Sequence, residues 1–289
     1  MEVINGSDIA AEIRQQLKEE NLREGISPLL AIIVVGDDKE SLVYVGLKTS
    51  AVEATGGKNR LLQLDADIDR EALLQKIENL NQDETVDGIL LQLPLPQHLE
   101  LYRDEFLKAI DPEKDVDGFN PENMGRLICG KPAFISCAAL ACMDIIRRAE
   151  FLASGKNAVL IGDSFDLIIP LAILLLKEGL KVTMIPEYEE EMSRGADILV
   201  VEKGLPQMVR GESLAEGSLV IDAGFHWHAG RSCGNVDKNS LVERELYLLP
   251  VPGGLGPVLI AKLMENLSIA ARKNQLPRSQ EGSIGKESL

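Results

Sequence analysis

The chain has 289 residues, of which 45% are apolar and 26% charged, a balance that excludes a disordered chain and leaves material for a sizeable core. Thirty Lys and Arg stand against 46 Asp and Glu, a net charge of −16, which argues against nucleic-acid backbones and anionic lipid, both gripped by clustered basic side chains. Apolar runs fall short of the ~18 residues of a membrane span, Met1-Glu2-Val3 opens no signal peptide, and Cys129, Cys137, Cys142 and Cys233 form no CxxC pair. A soluble, cytoplasmic protein with reduced thiols and no metal is expected.

Strand-like and helix-like stretches alternate along the chain. Leu29–Val35 is a continuous apolar run closed by Gly36, as in a strand buried on both faces. Helical spacing over Ser41–Ala54 stops at Gly56-Gly57. A short strand, Arg60–Leu64, precedes an amphipathic helix over Asp69–Leu80. Asp87–Leu93 predicts a third buried strand, ended by Pro94 and Pro96. This is a βαβαβ wind with a parallel sheet and right-handed crossovers. After a polar connector a second wind begins, with a helix over Cys137–Leu152, a strand over Ala158–Ile161, a helix over Pro170–Gly179, and strands at Lys181–Ile185, Asp197–Val201, Ser218–Asp222 and Leu246–Leu249. Leu259–Arg272 predicts a last helix, packed back on the first domain, and the polar stretch beyond Asn274 is expected to fray. The fold class is α/β: two α/β domains with an interdomain cleft, the second a Rossmann-like doubly wound parallel sheet. Residues 1–138 with 258–289 form the first domain and 139–257 the second.

Four places carry residues suited to chemistry. Ser41, Tyr44 and Lys48 lie at i, i+3 and i+7, on one helix face at the carboxyl end of a parallel sheet, where open α/β folds form clefts. A lysine that sheds water in such a wall is usable as a general acid or base, although the triplet also fits a solvated helix face. Gln92, a lone amide in a buried strand, needs partners, from the protein or from a ligand. Asp115 and Asp117 flank a turn ending in Gly118. Such a pair is often structural, but a carboxylate aimed into a cleft can accept two N–H bonds from an amidine-like edge. Pro250-Val-Pro-Gly-Gly-Leu-Gly-Pro257 sets three glycines between prolines ahead of a helix, a rigid loop or one that lets backbone approach a flat or anionic group. His226 and His228 flank Trp227 with no third ligand nearby, so no metal site is expected.

Taken together, Ser41-Leu-Val-Tyr-Val-Gly-Leu-Lys48, Asp87-Gly-Ile-Leu-Leu-Gln-Leu-Pro-Leu-Pro96, Asp111-Pro-Glu-Lys-Asp-Val-Asp117-Gly118, Gly125-Arg126-Leu127 and the Pro250–Pro257 loop resemble the bifunctional methylenetetrahydrofolate dehydrogenase–methenyltetrahydrofolate cyclohydrolase family, in its order and over nearly the whole chain. The resemblance implies a tetrahydrofolate substrate in the interdomain cleft, Lys48 as catalytic lysine tuned by Gln92, Tyr44 packing on the folate ring, Asp117 gripping the pterin edge, and Ser41, Pro252, Gly253 and Gly254 binding substrate. It also implies NADP as cofactor and a homodimer formed through the second domain.

The second domain departs from that pattern. The family's turn reads Gly-Arg-Ser, two residues, Val, Gly, any residue, Pro; here Gly162 and Ser164 remain, Asp163 replaces the arginine, and Ile168 replaces the later glycine. A carboxylate about 5 Å from a phosphate costs about 3 kcal/mol at an effective dielectric near 20. Glu189, Glu190 and Glu191 add acid after the next strand, Ser136-Cys-Ala-Ala139 replaces Pro-Cys-Thr-Pro, Glu202-Lys203 replaces small residues, and Leu259 replaces a threonine beside the folate loop. The sequence therefore predicts a folate-binding enzyme that keeps the cyclohydrolase, with NADP-dependent dehydrogenase activity absent or very low and with NAD tolerated better than NADP. The alternatives are a non-catalytic folate-binding or regulatory paralogue and a full bifunctional enzyme with an altered cofactor mode.

Overall fold

The structure is a computed structural model that describes residues 1–228 and 230–275; the expected fraying beyond Asn274 falls almost wholly on residues 276–289, outside the described residues. Two elements precede the first expected strand. They are β1 (Glu2–Val3) and the long helix α1 (Gly6–Glu24), whose first amides, of Ser7 and Asp8, donate to Asn5 Oδ1. The first wind then follows as read, with β2 (Leu29–Val35), α2 (Lys39–Ala54), β3 (Lys58–Leu64), α3 (Arg70–Gln82) and β4 (Gly88–Leu91). Asp38 and Asp69 cap α2 and α3 by accepting from Ser41 N at 2.8 Å and Ala72 N at 2.7 Å.

The connector expected to be polar loop is largely helical: α4 (Gln97–Glu100), α5 (Arg103–Ala109) and α6 (Pro121–Ile128) precede α7 (Cys137–Arg148). Each of the first three has eight residues or fewer, too few turns for periodicity to reveal. The second wind continues with β5 (Asn157–Ile161), α8 (Ile168–Lys177), β6 (Lys181–Ile185), α9 (Glu190–Ser193), β7 (Ile198–Val201) and β8 (Leu219–Asp222). A hairpin of β9 (His226–His228) and β10 (Arg231–Cys233) intervenes before β11 (Tyr247–Leu249) and α10 (Leu255–Gln275). Helix α8 begins two residues before Pro170, which sits in its first turn, where the missing N–H costs nothing.

The chain divides into two compact units. One holds Arg14–Asn120 and the chain from Met264 onward; the other holds Met1–Ile13 and Pro121–Leu263. In the first, three parallel strands run in the order β3-β2-β4, with β2 central and nearly all of it buried. Gly88 opens β4 because a side chain there would collide with Val116 and Leu267. Lys114 donates to the carbonyls of Leu80, Asn81 and Asp83 at the end of α3, so this lysine of the Asp111–Gly118 segment is a helix C-cap. The last helix belongs partly to this unit, with Asn266 donating to Val116 O and Ser268 accepting from Asn21.

The other unit is a six-stranded all-parallel sheet in the order β1-β11-β8-β7-β5-β6. The order reverses at β5, which lies between β6 and β7, the topological switch point at which doubly wound sheets bind ligands outside the carboxyl ends of their strands. Its core includes Val159, Ile161, Leu199, Val201, Val220 and Leu248. Among the described residues no helix is long and apolar enough to cross a membrane.

Candidate active site

In the first unit Lys48 and Gln92 meet at the carboxyl end of the parallel sheet. Helix α2 leaves the end of β2 and presents a buried stripe of Ser41, Val45, Lys48 and Val52. Lys48 is only 8% exposed, and its Nζ donates to Gln92 Oε1 at 3.1 Å. Gln92 lies one residue past β4, not within a longer strand, yet its N–H still donates to Ile33 O at 2.8 Å and so extends the ladder by one rung. Its amide is fixed at both ends, because Nε2 donates to Leu93 O at 2.6 Å while Oε1 accepts from Lys48. The carbonyl oxygen is thereby held toward the lysine.

Ser41 is buried, and its Oγ has no hydrogen-bond partner among the described residues. Native interiors leave few such groups, and the neighbouring Asp38 carboxylate, which caps the helix on Ser41 N, is the nearest charged group to it. Tyr44 is placed differently from its helical neighbours. At 44% exposed it stands at the margin of the buried stripe and offers an open ring. The two acids of the Asp115–Gly118 turn also divide. Asp115 is fully committed, its carboxylate accepting from Phe119 N at 3.0 Å and Asn120 N at 2.8 Å. Asp117 is buried, and among the described residues its carboxylate makes no hydrogen bond or ion pair that would occupy it.

The second unit carries the glycine–proline loop and the strand-to-helix turn. Pro252 and Gly253 are exposed, and Gly253 has φ +85°, a left-handed conformation that favours glycine. Gly254 is pressed against Pro250 O, where a Cβ would come within 2.1 Å, and Lys238 Nζ fixes the loop by donating to Val251 O at 2.8 Å.

At the turn after β5, Gly162 has φ +139°, and a Cβ there would stand 2.6 Å from Glu202 Oε2. Ser164 caps α8, its Oγ accepting from Ile168 N at 3.1 Å and Leu167 N at 3.3 Å while donating to Glu202 Oε1 at 2.6 Å. Ile168 is fully buried, with its Cγ1 3.0 Å from the position of that Cβ, so its bulk fills the inside of the turn and the polar group there is Glu202. Asp163 is exposed and pairs with Lys203 at 3.3 Å, so the two substitutions that looked independent in sequence largely neutralise one another. Ser136, which opens the altered Ser-Cys-Ala-Ala segment, donates to Asp166 O and ties that segment to the turn.

Sequence reasoning passed over Asp222. It ends β8 fully buried and accepts from the amides of Gly224, Asn235 and Val236 at 2.9–3.2 Å. Burial pushes its carboxyl up, and the three N–H donors pull it back. An acid closing the apolar run Leu-Val-Ile-Asp was the available signal. His226 bonds Asn235 Oδ1 through Nε2 at 2.5 Å, and among the described residues no three His, Cys, Asp or Glu side chains are grouped as metal ligands.

A three-stranded parallel sheet with a buried lysine–glutamine pair, joined in one chain to a doubly wound six-stranded sheet with a glycine turn at its switch point, defines a two-unit α/β enzyme of the dinucleotide-binding class. The family descriptions agree: residues 4–117 match the catalytic domain, and residues 136–275 the NAD(P)-binding domain, of tetrahydrofolate dehydrogenase/cyclohydrolase. The chain belongs to the tetrahydrofolate dehydrogenase/cyclohydrolase family. It is 60% identical over 277 residues to Bifunctional protein FolD 1 of Syntrophomonas wolfei, covering 95% of this chain and all of that one. It is 40% identical to Bifunctional protein FolD of Halothermothrix orenii, covering 94% of this chain and 98% of that one. The crystal structure of the bifunctional FolD enzyme from Campylobacter jejuni superposes with a TM-score of 0.88 at 36% identity, covering 94% of this chain and 98% of that one. The Trypanosoma brucei methylenetetrahydrofolate dehydrogenase-cyclohydrolase, complexed with NADP cofactor and inhibitor, gives 0.87 at 34%, covering 95% and 98%. Both halves of the chain are matched, and nothing in these likenesses points to a lost dehydrogenase, against the expectation drawn from the altered loops.

Proposed function

We propose that the protein is a bifunctional enzyme of tetrahydrofolate one-carbon metabolism, which oxidises methylenetetrahydrofolate with a nicotinamide dinucleotide and hydrolyses the resulting methenyl bridge to 10-formyltetrahydrofolate. The observation that carries this reading is the buried Lys48–Gln92 pair, 3.1 Å apart at the carboxyl end of the β2–β4 ladder. Lys48 Nζ is the proton-moving group: it takes a proton from the water that attacks the cationic methenyl carbon and returns one as the bridge opens. Gln92 positions that amine, and its own amide is locked by Leu93 O. Tyr44 offers a face for the flat pterin, Asp117 accepts from its amino-pyrimidine edge, and Ser41 Oγ completes its hydrogen bonding on substrate.

The second unit fits a dinucleotide at its glycine turn. Gly162 carries no side chain of its own, Ser164 opens the helix, the α8 N-terminus favours an anion, and the room beside Gly162 is held by the Glu202 carboxyl. A bound dinucleotide supplies the hydride acceptor. Glu187, Glu189, Glu190 and Glu191 follow β6, the strand end that meets the adenosine ribose in such folds; a carboxylate there suits a free 2′-hydroxyl and repels a 2′-phosphate. Arg194 on that segment is engaged with Glu190 at 2.5 Å. On this ground NAD is the favoured cofactor over NADP.

The test is two absorbance assays on the purified chain, one for reduced nicotinamide formed from methylenetetrahydrofolate with NAD or NADP, and one for loss of the methenyl chromophore. Turnover in both, faster with NAD, is the expected result. Hydrolysis without any nicotinamide reduction would return the reading to a cyclohydrolase alone, and silence in both assays would favour a non-catalytic folate binder.

A further inference from the structure

We propose that Glu202 is a proton-controlled gate on the dinucleotide site: its carboxyl occupies the cradle over Gly162, and the cofactor binds together with a proton taken up there. The inference rests on the dehydrogenase reading above and adds to it the residue that sets cofactor affinity and its pH dependence.

Strands β5 and β7 pair through the rung Ile161–Val201, so Gly162 and Glu202 are the first residues past the same rung, side by side at the switch point. Glu202 N donates to Ile161 O at 2.9 Å, which fixes its backbone. Its Oε2 lies 2.6 Å from where a Cβ on Gly162 would be, filling the room the glycine leaves. Its Oε1 accepts from Ser164 Oγ, and that hydroxyl oxygen in turn accepts from the amides of Leu167 and Ile168. An internal carboxylate, relayed by one hydroxyl, is thus seated at the helix N-terminus, where a diphosphate belongs.

The surroundings set the sign of the effect. Asp163 and Asp166 in the turn act on Glu202 through their charge, Lys203 follows it and pairs with Asp163, and the buried Cys142 thiol of α7 lies within reach of its charge. Burial first, then Asp166 and Asp163, push the Glu202 carboxyl above the ordinary carboxylate range, while the Ser164 hydrogen bonds oppose them. An arriving anion adds to the upward push, so the complex holds the proton more tightly than the free protein does, and affinity falls as pH rises.

The experiment is calorimetric titration of the full chain with NAD and, separately, NADP between about pH 5.5 and about pH 8, in two buffers of different ionisation enthalpy. For the wild type, affinity for the favoured dinucleotide is expected to drop about tenfold or more across this range, with net proton uptake. Glu202→Gln keeps the size and loses the charge; it is expected to bind about tenfold or more tightly at the upper pH, with a flat profile and no uptake. Glu202→Ala, which empties the cradle, is expected to behave likewise, and thermal melting without ligand verifies that both variants fold. A folded Glu202→Gln that keeps the wild-type slope and proton uptake, or gains no affinity at the upper pH, overturns the gate while leaving the dehydrogenase reading intact. Failure of all three proteins to bind either nucleotide overturns both.

Discussion

Replacing Lys48 by Met separates proton transfer from folding. The substitution keeps the side chain's length and apolar stem in a site where the lysine is 8% exposed, and removes one hydrogen bond of 3.1 Å to Gln92 Oε1. An orphaned buried acceptor costs about 1–3 kcal/mol, offset in part because the polar amine no longer has to be kept out of water. The net change in stability is therefore about 1–2 kcal/mol, or a few degrees in melting temperature. Loss of a positioned general acid–base group, by contrast, lowers the rate by about 10²–10⁴-fold, equivalent to about 3–5 kcal/mol in the barrier. The rate effect exceeds the stability effect, so a folded variant with little hydrolysis is expected. The assay follows decay of methenyltetrahydrofolate at saturating substrate, corrected for the uncatalysed reaction and paired with thermal melting. A folded Lys48→Met protein hydrolysing within about twofold of the wild-type rate would refute the role of the amine.

Asp117→Ala is expected to weaken a folate analogue by about 1–3 kcal/mol, read by calorimetry; unchanged affinity would remove Asp117 from the site. Asp222→Ala strands the amides of Gly224, Asn235 and Val236, and at about 1–3 kcal/mol for each that stays dry the melting temperature should fall by ten degrees or so, a loss that an unperturbed melt would contradict. Because the folded-state carboxyl of Glu202 is raised, its contribution to stability is present below the ordinary carboxylate range and lost as pH rises through the raised value; Glu202→Gln should therefore stabilise the ligand-free protein more at pH 8 than at about pH 5. A homodimer is expected by family analogy, and light scattering that shows only the 31.5 kDa chain would exclude it.

The order of elements was legible in the sequence wherever the periodic signal was long. The apolar run Leu29–Val35 became β2 with both ends as read, and Lys181–Ile185 likewise became β6. Short helices between Gln97 and Ile128 escaped, as did β1 and the 19-residue α1, whose many charged positions blur its apolar face. The caps Asp38 and Asp69 went unread, because the helical spacing begins at Ser41 in one case and takes in Asp69 in the other, although an Asp before a helical run satisfies orphan amides in any context.

Residue type and spacing therefore determined the family resemblance, the two parallel winds, and the choice of Lys48, Gln92 and Asp117, because each follows from local chemistry repeated at a fixed interval. Tertiary structure decided what spacing leaves open. It showed that Asp115 is consumed by two backbone amides while Asp117 is not, that Tyr44 is open while Ser41 beside it is buried, and that Lys114 ends a helix. It also recast the altered dinucleotide turn. As a string, Asp163, Ile168 and Glu202 each read as a mark against an anion at the turn; in space, Lys203 pairs with Asp163, Ile168 is core, and the opposition at the turn narrows to Glu202, which donor and acceptor geometry binds to Ser164. The physical reason is that charge and bulk act through distance and burial, and residues 40 positions apart in the chain are brought within a hydrogen bond only by the pairing of β5 with β7.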